Sequence, residues 1–253
     1  MQTHFLNSNV IWLDSVDSTN EEAKRRIKDF SKPTWIIAKK QSKGKGRNGN
    51  RWFGSEGNFS GSLVFSPNIK RSKLHLYGFF LGVALYNTLK NFLKDDTNIR
   101  LKWPNDLLIE NGKVAGILLE SVYTNRKSDL GLIIGVGVNL NTAPSFATNS
   151  DLKYNTQCVA NFTNEEINLF SFFRTFNQEL IKLEAYIDET KIHTILKLWE
   201  TRSYDKGVII KFSGKRGEIK SGIFLGLDEI GGLIVGESSG VKKVYSGDVY
   251  FGS

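Results

Sequence analysis

A basic, glycine-rich segment over residues 39–51 is the part of the sequence best suited to bind an anion. It contains six basic residues and no acidic one, and glycines recur within it at short intervals. Backbone amides exposed at such glycines, together with the cations of Lys45 and Arg47, can converge on one phosphate or carboxylate. The spacing is not that of a P-loop, because no Gly-Lys-Ser/Thr ending follows. A solvated basic loop, or a nonspecific nucleic-acid loop in which Trp52 stacks on a base, remains an alternative.

The segment Lys102–Asp106, which reads Lys-Trp-Pro-Asn-Asp, is a second candidate. Pro104 favours an extended Trp103, so a strand would end here in a rigid turn that presents Asn105 and Asp106. The amide of Asn105 offers a donor and an acceptor to a purine edge, and the carboxylate of Asp106 could hold Mg²⁺ on a nucleotide. The alternative is an ordinary Asn-Asp turn.

Two apolar stretches contain residues that could face a ligand. In residues 112–120, Lys113 opens an otherwise apolar strand, and it could reach into a pocket as a point charge or be the solvated end of that strand. Residues 135–139 read Gly-Val-Gly-Val-Asn, and glycines inside a strand indicate close approach by a ligand or by a neighbouring backbone. The three histidines show no metal-ligand spacing, and Cys158 lacks a companion nucleophile motif.

These candidates must be positioned by a mixture of strands and helices. Ser18 or Thr19 can cap a helix whose first turn is acidic and whose later residues are basic. Apolar residues at helical spacing predict a helix with one buried face over 74–93 and a second helical region over 167–199. The Asn-Gly pair at 111–112 predicts a hairpin turn. Strands are predicted at residues 10–13, 35–38, 62–65, 99–103, 106–109, 113–122 and 130–140.

Length and composition narrow the class of protein. The 253 residues, 40% hydrophobic and 24% charged, fit a globular chain with one substantial domain and a small appendage. Residues 207–253 hold eleven of the 24 glycines among short apolar runs, which is typical of a small β-barrel, so we place a domain boundary near residue 205.

The charge and the cysteine content bear on partners and compartment. A net charge of +8 is compatible with nucleic acid, an acidic protein or a phosphorylated ligand. One cysteine excludes an internal disulfide, no signal-peptide pattern opens the chain, and no apolar run is long enough to cross a bilayer. We therefore expect a cytoplasmic protein that does not use a membrane.

Taken together and in this order, the motifs resemble those of the biotin–protein ligases. That family has Ser-Thr-Asn near its start, then Gly-Arg-Gly-Arg-x-Gly-Arg-x-Trp, Lys-Trp-Pro-Asn-Asp, Gly-Lys-x-x-Gly-Ile-Leu-x-Glu and Gly-x-Gly-x-Asn. The corresponding segments here are residues 18–20, 44–52, 102–106, 112–120 and 135–139. The β-rich tail resembles the family's small C-terminal domain.

The resemblance implies a fold. We expect an α+β catalytic domain over residues 1–205, with a mixed central sheet and flanking helices like those of class II aminoacyl-tRNA synthetases and biotin–lipoate ligases. Residues 206–253 would form an SH3-like β-barrel. Because Ser-Thr-Asn is reached at residue 18, no N-terminal helix-turn-helix is expected and DNA is not an expected partner.

The resemblance also implies a two-step reaction that uses ATP, biotin and Mg²⁺. Biotin and MgATP give biotinyl-5′-AMP and pyrophosphate, and a lysine of a biotin carboxyl-carrier protein domain then attacks the adenylate. Two anions must approach each other in the first step, so cations that neutralise them lower its cost. Lys45, Arg47 and Lys113 are the expected catalytic cations, and the basic loop would order over the adenylate as a lid.

The family's pattern divides the remaining candidates among the substrates. The residues expected to bind biotin are Ser18, Thr19, Asn20, Gln41, Lys45, Gly46, Arg47, Lys113, Gly116, Leu118, Gly135 and Gly137. Those expected to bind ATP or the adenylate are Arg47, Trp52, Asn105, Lys113 and Asn139. Asp106 is the expected metal ligand, and a homodimer that pairs through the central sheet is possible within the family.

Two positions depart from the family's pattern. Lys45 and Asn50 stand where arginines are usual, and lysine keeps the charge of arginine without its bidentate fork. We therefore expect slower adenylate formation or leakier release of the intermediate. Two other functions stay open: a lipoate or octanoate ligase, whose Arg-Arg-x-Ser-Gly-Gly-Gly loop has no match here, and a nucleic-acid-binding module, which explains the charge but not Lys113.

Overall fold

The computed structural model describes residues 5–123, 130–144, 155–163, 165–188, 190–213 and 218–251. Its strands are β1 (Asn9–Val16), β2 (Thr34–Gln41), β3 (Gly44–Lys45), β4 (Arg51–Trp52), β5 (Phe59–Phe65), β6 (Ile99–Lys102), β7 (Asp106–Ile109), β8 (Gly112–Tyr123), β9 (Leu130–Val138), β10 (Ile209–Ser213), β11 (Ile219–Leu227), β12 (Leu233–Glu237), β13 (Gly240–Val244) and β14 (Val249–Phe251). Its α-helices are α1 (Thr19–Arg26), α2 (Leu76–Lys90), α3 (Leu169–Leu183) and α4 (Ile192–Glu200). Short 3₁₀ helices lie at Phe5–Asn7, Ile27–Asp29, Arg47–Gly49, Arg71–Lys73, Val159–Phe162 and Glu184–Tyr186.

Seven strands form the central sheet, in the order β1-β2-β5-β9-β8-β7-β6. β1 and β2 run parallel and every other neighbouring pair runs antiparallel. The inner strands β2, β5 and β9 are buried along most of their length, which explains why their sequences are nearly continuous apolar runs. The expected mixed sheet with flanking helices, and with it the α+β class, is confirmed.

Helix α2 differs from its prediction in the extent of its burial. Twelve of its 15 residues are buried, whereas the sequence pattern predicts one buried face. The helix packs against strands of the sheet on one side and against α3 and α4 on the other, so little of its surface meets water. It is too short to cross a bilayer, and in the described ranges no other helix is both long and apolar enough to do so.

The region predicted as helical over 167–199 consists of two helices. α3 buries a stripe of aromatic and aliphatic side chains that includes Phe172, Phe176 and Leu180, as its spacing predicts. A 3₁₀ turn at Glu184–Tyr186 ends this stretch before α4 begins at Ile192.

The hairpin turn between β7 and β8 lies one residue earlier than predicted. Glu110 and Asn111 have φ values of 46° and 64°, and Ile109 pairs with Gly112, so the two-residue turn is Glu110-Asn111. Gly112 serves a different purpose: a Cβ there would overlap the side chain of Gln157. The glycine permits this close approach and is not part of the turn.

The C-terminal strands form a separate antiparallel sheet in the order β13-β12-β11-β10-β14, which confirms the expected SH3-like barrel fold class. This sheet packs on the larger one through a continuous apolar cluster. Trp103 Nε1 donates to the carbonyl oxygen of Gly231 over 3.0 Å, and the Leu227 N–H donates to the Glu200 carboxylate. The two sheets therefore share a core, and the turns of the smaller sheet reach the edge of the larger one.

Candidate functional site

A cleft open to solvent lies between the start of α1, the β3–β4 hairpin and strands β7, β8 and β9. Concave sites of this kind are where small molecules usually bind. The lining residues are Ser18, Thr19, Asn20, Gln41, Lys45, Gly46, Arg47, Asn50, Arg51, Trp52, Asn105, Asp106, Lys113, Gly116, Ile117, Leu118, Gly135, Val136, Gly137 and Asp248.

The start of α1 forms the polar end of the cleft. Ser18 occupies the N-cap position, but its side chain makes no capping hydrogen bond, so the predicted cap by Ser18 or Thr19 is wrong. Asp17 Oδ1 accepts from the Ser18 N–H, and Gln41 Oε1 accepts from the Thr19 N–H, each over 2.7 Å. Neighbouring side chains thus satisfy the first two amides of the helix end, and both residues line the cleft.

The floor of the cleft is a set of glycines on β8 and β9. A Cβ at Gly135 would overlap the amide of Asn20, and a Cβ at Gly137 would overlap the indole of Trp52. Gly137 pairs with Gly116 across the sheet, and a Cβ at Gly116 would lie 3.4 Å from both Trp52 and the side chain of Lys113. The glycines therefore admit functional side chains onto the surface of the sheet.

Lys113 and Asp106 line the cationic end of the cleft, and the buried Lys102 lies behind Asp106, outside the lining. Lys113 Nζ lies 2.6 Å from Asp106 Oδ1 and 5.8 Å from the centroid of the Trp52 ring. Lys102 Nζ lies 3.9 Å from Asp106 Oδ2, and burial lowers the pKa of Lys102. Lys113 and the nearby Arg47 bring positive charge to this end of the cleft, which suits a site where negative charge develops.

The basic loop forms the outer wall of the cleft. Arg47 Nη1 donates to Asn105 Oδ1 over 3.1 Å and lies 3.5 Å from Asp248 Oδ1, between β13 and β14. Lys45 Nζ lies 2.7 Å from Glu21 Oε1 on α1. A turn of the C-terminal sheet thus contacts the loop that the sequence singles out for anion binding.

The structure brings together all but one of the sequence-predicted site residues. Asn139 lies outside the lining, because its buried amide nitrogen donates to the carbonyl oxygen of Gln157 over 3.1 Å. The lining residues that the sequence did not suggest for a site role are Arg51, Ile117, Val136 and Asp248. Ile117 and Val136 lie within predicted motifs, but no local signal marks Asp248, which is far from them in sequence.

This chain combines a mixed sheet, a cleft lined by basic side chains at a helix start and a small antiparallel sheet, an arrangement that it shares with ligases that attach a cofactor acid to a protein. Residues 12–139 match the model of the biotin/lipoate A/B protein ligase family, and residues 206–252 match the model of the biotin protein ligase C terminal domain. The chain belongs to the biotin/lipoate A/B protein ligase family.

Individual relatives agree with this assignment. A biotin–[acetyl-CoA-carboxylase] ligase of Paracoccus denitrificans is 31% identical over 241 residues, which cover 95% of this chain and 99% of that protein. The bifunctional ligase/repressor BirA of Bacillus subtilis is 28% identical, with all of this chain aligned to 77% of that protein. The structure of a biotin protein ligase from Aquifex aeolicus with biotin and ATP superposes with a TM-score of 0.79 at 26% identity, covering 96% of this chain and 97% of that one.

Proposed function

We propose that this chain is an ATP-dependent ligase that activates biotin as biotinyl-5′-AMP and transfers it to a lysine of a biotin carboxyl-carrier protein domain. The observation that carries the proposal is one continuous cleft with two different ends. Thr19 and Gln41 offer hydrogen-bonding groups for a ureido ring at one end, and Lys113 and Arg47 offer positive charge at the other. The apolar wall between them, at Ile117, suits an alkyl tail.

The cationic end supports adenylate formation by charge neutralisation. A carboxylate oxygen of biotin attacks the α-phosphorus of ATP, the bond from that phosphorus to the bridging oxygen breaks, and pyrophosphate leaves. Lys113, held at 2.6 Å by Asp106, is placed to neutralise the carboxylate and the α-phosphate as they approach. Arg47 and Lys45 would hold the remaining phosphate charge.

In the second step no side chain of this chain needs to act as a nucleophile. The uncharged amine of the carrier lysine attacks the acyl carbon of the adenylate, and the bond from that carbon to the phosphate oxygen breaks. AMP leaves, and the amine nitrogen gives up one proton to solvent as the amide forms. Trp52 and Asn105 would contact the adenine side. The basic loop would cover the adenylate and exclude water, which would otherwise hydrolyse it. Asn139 stays a proposed adenine-side residue, but its side chain lies outside the cleft lining and donates to the carbonyl oxygen of Gln157.

The proposal includes Mg²⁺, which Asp106 would help to bind. Mg²⁺ is usually bound through one or two carboxylates plus substrate phosphates. Asp106 and Asp248 are the carboxylates among the described lining residues, and the described residues contain no group of three candidate ligands. This donor set fits a metal that arrives with ATP, and the bound ion would supply further positive charge at the phosphates.

We extend the proposal to the domain organisation, the cellular compartment and the binding partners of this chain. Residues 1–205 would act as the catalytic domain and residues 206–253 as the SH3-like domain, in a reducing cytoplasm suited to the buried free thiol of Cys158. The carrier domain is the expected protein partner, and a second copy of this chain is a possible one. DNA is not proposed as a partner.

The test is biotin-dependent exchange of labelled pyrophosphate into ATP, followed by transfer of biotin to a carrier domain. We expect exchange with biotin and none with lipoate. Exchange with lipoate alone would replace the proposal with a lipoate ligase. Absence of exchange with either acid, together with salt-sensitive binding to DNA, would replace it with a nucleic-acid-binding function.

A further inference from the structure

A series of ion pairs joins the basic loop to the central sheet through helix α1. Lys45 Nζ on β3 lies 2.7 Å from Glu21 Oε1 on α1. The same oxygen of Glu21 lies 2.8 Å from Lys24 Nζ, which in turn lies 2.7 Å from Glu120 Oε1 on β8. Positive and negative groups therefore alternate from the loop to the sheet. Of these four residues only Lys45 lines the cleft.

Glu21 is the more firmly held member of its pair with Lys45. The side chain of Glu21 is 28% exposed, whereas that of Lys45 is 52% exposed. Hydrogen bonds from Lys24, and then from Lys45, lower the pKa of Glu21, so this carboxylate is charged at neutral pH. Because Lys24 also pairs with Glu120 in the sheet, Glu21 is a fixed attachment point for an exposed lysine.

The side chains of the basic loop attach it to two different parts of the molecule. Arg47 Nη1 lies 3.5 Å from Asp248 Oδ1 in the C-terminal sheet. Lys45 pairs with Glu21 on α1. A loop that covers a bound molecule must move before that molecule leaves. Contacts that break during this movement raise the free energy of opening, so the pair between Glu21 and Lys45 opposes release.

The pair between Glu21 and Lys45 is compatible with an anion in the cleft. An ammonium group has three N–H donors, and the printed contact with Glu21 uses one of them. Lys45 also lines the cleft, so a second N–H can face a phosphate while the first stays on Glu21. The attachment of the loop therefore does not have to break when the anion binds.

We propose that Glu21 is a positioning residue that fastens the basic loop to α1 through Lys45 and thereby slows the escape of an acyl-adenylate from the cleft. The inference rests on the proposed function for the identity of that molecule, biotinyl-5′-AMP. It adds a residue that does not line the cleft to those that act on the intermediate.

Glu21→Gln tests the proposal by removing the charge of this side chain while keeping its shape. Because the pair with Lys45 is partly exposed, we expect the release rate of biotinyl-5′-AMP to rise about two- to fivefold. The rate of adenylate formation should stay close to that of the wild type, since Glu21 does not touch the reacting groups. Release is followed by a chase with unlabelled biotin once labelled adenylate has formed.

Glu22→Gln is the matched control. Glu22 lies beside Glu21 in the first turn of α1, but it pairs with Arg25 at 2.7 Å on its own helix. The substitution therefore removes the same charge from the same helix end without touching the loop. The release rate of this variant should equal that of the wild type.

A double-mutant cycle separates a role through the loop from a general loosening of α1. If Glu21 acts through Lys45, Glu21→Gln speeds release in the wild-type background but adds nothing in a Lys45→Met background. A general loosening of the helix raises release by the same factor in both backgrounds.

Trypsin gives a readout that needs no ligand, because the loop carries cleavable residues at Lys43, Lys45, Arg47 and Arg51. In the ligand-free protein, cleavage within residues 43–51 should be faster for Glu21→Gln than for Glu22→Gln, since cleavage follows the population of the open loop. Equal cleavage rates in these two variants would overturn the inference.

The release rates give two further outcomes that overturn it. The first is release from Glu21→Gln that is no faster than from Glu22→Gln; slower release would show that Glu21 competes with the ligand for Lys45. The second is an equal increase in the Lys45→Met background. Failure of the proposed function is a separate result, the absence of biotin-dependent exchange in the wild type, and the trypsin comparison then still tests the attachment of the loop.

Discussion

The three expected catalytic cations differ in how firmly the structure holds them. Lys113 is only 22% exposed and pairs with a carboxylate that is almost buried, at 2.6 Å. Lys45 is 52% exposed and pairs with Glu21 at the edge of the cleft. A cation that is already placed needs little reorganisation when charge develops, so the structure favours Lys113 for the reacting carboxylate and α-phosphate. Lys45 is better suited to move with the loop.

Lys113→Ala should therefore greatly lower the rate of adenylate formation. We expect kcat for pyrophosphate exchange to fall about 10²–10³-fold, the range seen when one preorganised stabilising group is removed. Lys182→Ala is the matched control, because Lys182 pairs with Glu179 at the same 2.6 Å but lies outside the cleft. A Lys113 variant that retained the exchange rate of the control would contradict the assignment.

Lys45 and Asn50, which stand where the family usually has arginines, give a second prediction about single residues. Both residues line the cleft, and Asn50 also closes the loop by accepting the Gly46 N–H through its backbone oxygen. In Lys45→Arg/Asn50→Arg, added bidentate contacts should slow the release of biotinyl-5′-AMP. Release is measured by chase with unlabelled biotin after adenylate formation. A release rate equal to that of the wild type would contradict the prediction that Lys45 and Asn50 make release of the intermediate faster.

Among the elements, strand β9 shows how one strand can serve packing and binding together. Its glycines at 131, 135 and 137 would each meet a neighbouring side chain if they carried a Cβ: Ile27, Asn20 and Trp52 respectively. Only the last two side chains line the cleft. The three positions thus give matched substitutions in a single element.

We expect Gly135→Ala to raise the KM for biotin and Gly137→Ala to raise the KM for ATP, each by about tenfold or more, because small displacements of positioning groups are costly. Gly131→Ala should lower the free energy of unfolding while leaving both KM values near those of the wild type. Steady-state kinetics and urea unfolding of the three variants separate these effects. Equal kinetic losses at all three positions would show that only packing is involved.

The start of α1 depends on Asp17, which the sequence did not single out as a cap. Hydrogen bonds from Arg25, and then from the Ser18 N–H, lower the pKa of Asp17 from 3.8 to about 2. A carboxyl group with a depressed folded-state pKa stabilises the fold above its unfolded-state pKa, and this contribution is lost as the pH falls toward about 2.

Asp17→Asn should therefore flatten the fall in unfolding free energy between pH about 4 and pH about 2. Urea unfolding at several pH values gives the slope. Asp14→Asn is the control, because Asp14 pairs with Lys39 at an exposed position and its contribution is screened by solvent. Identical slopes for the wild type and Asp17→Asn would contradict the role of Asp17 at the helix start.

For the whole molecule, the second sheet is part of the site. The turn before β14 brings Asp248 to within 3.5 Å of Arg47, and Gly231 accepts a hydrogen bond from Trp103 in the Lys102–Asp106 motif. The smaller sheet therefore contacts both the basic loop and the Lys102–Asp106 motif. We expect a local change in this sheet to affect nucleotide binding.

Asp248→Asn removes the charge that faces Arg47 and keeps the shape of the side chain. Because this pair is partly exposed, we expect only about a two- to fivefold rise in the KM for ATP, with little change in stability. Glu218→Gln, an exposed carboxylate of the same sheet, should leave the KM unchanged. If both variants behave alike, the contact between Asp248 and Arg47 does not contribute to the site.

Much of the candidate site can be predicted from sequence because its residues cluster in short motifs. Lys113, Asp106 and Trp52 stand out by type and spacing, and their strands or loops follow from apolar runs and glycines. The same patterns predict helix burial and turn positions less accurately, because these depend on contacts with distant parts of the chain. Helix α2 is covered on nearly every side, and the turn lies at Glu110-Asn111, whereas Gly112 is the position where a Cβ would overlap the side chain of Gln157.

The sequence by itself thus determined the class of fold, the order of the motifs and nearly every side chain that lines the cleft. Only the tertiary structure decided that Asp248 faces Arg47, that Ser62 and Glu120 support Asn20, and why β9 needs its glycines. The physical reason is the range of the interactions. The residues of a motif are neighbours in the chain, so the sequence shows them together. Ion pairs, hydrogen bonds and close steric contacts also form between residues that are far apart in the sequence and that only folding brings together.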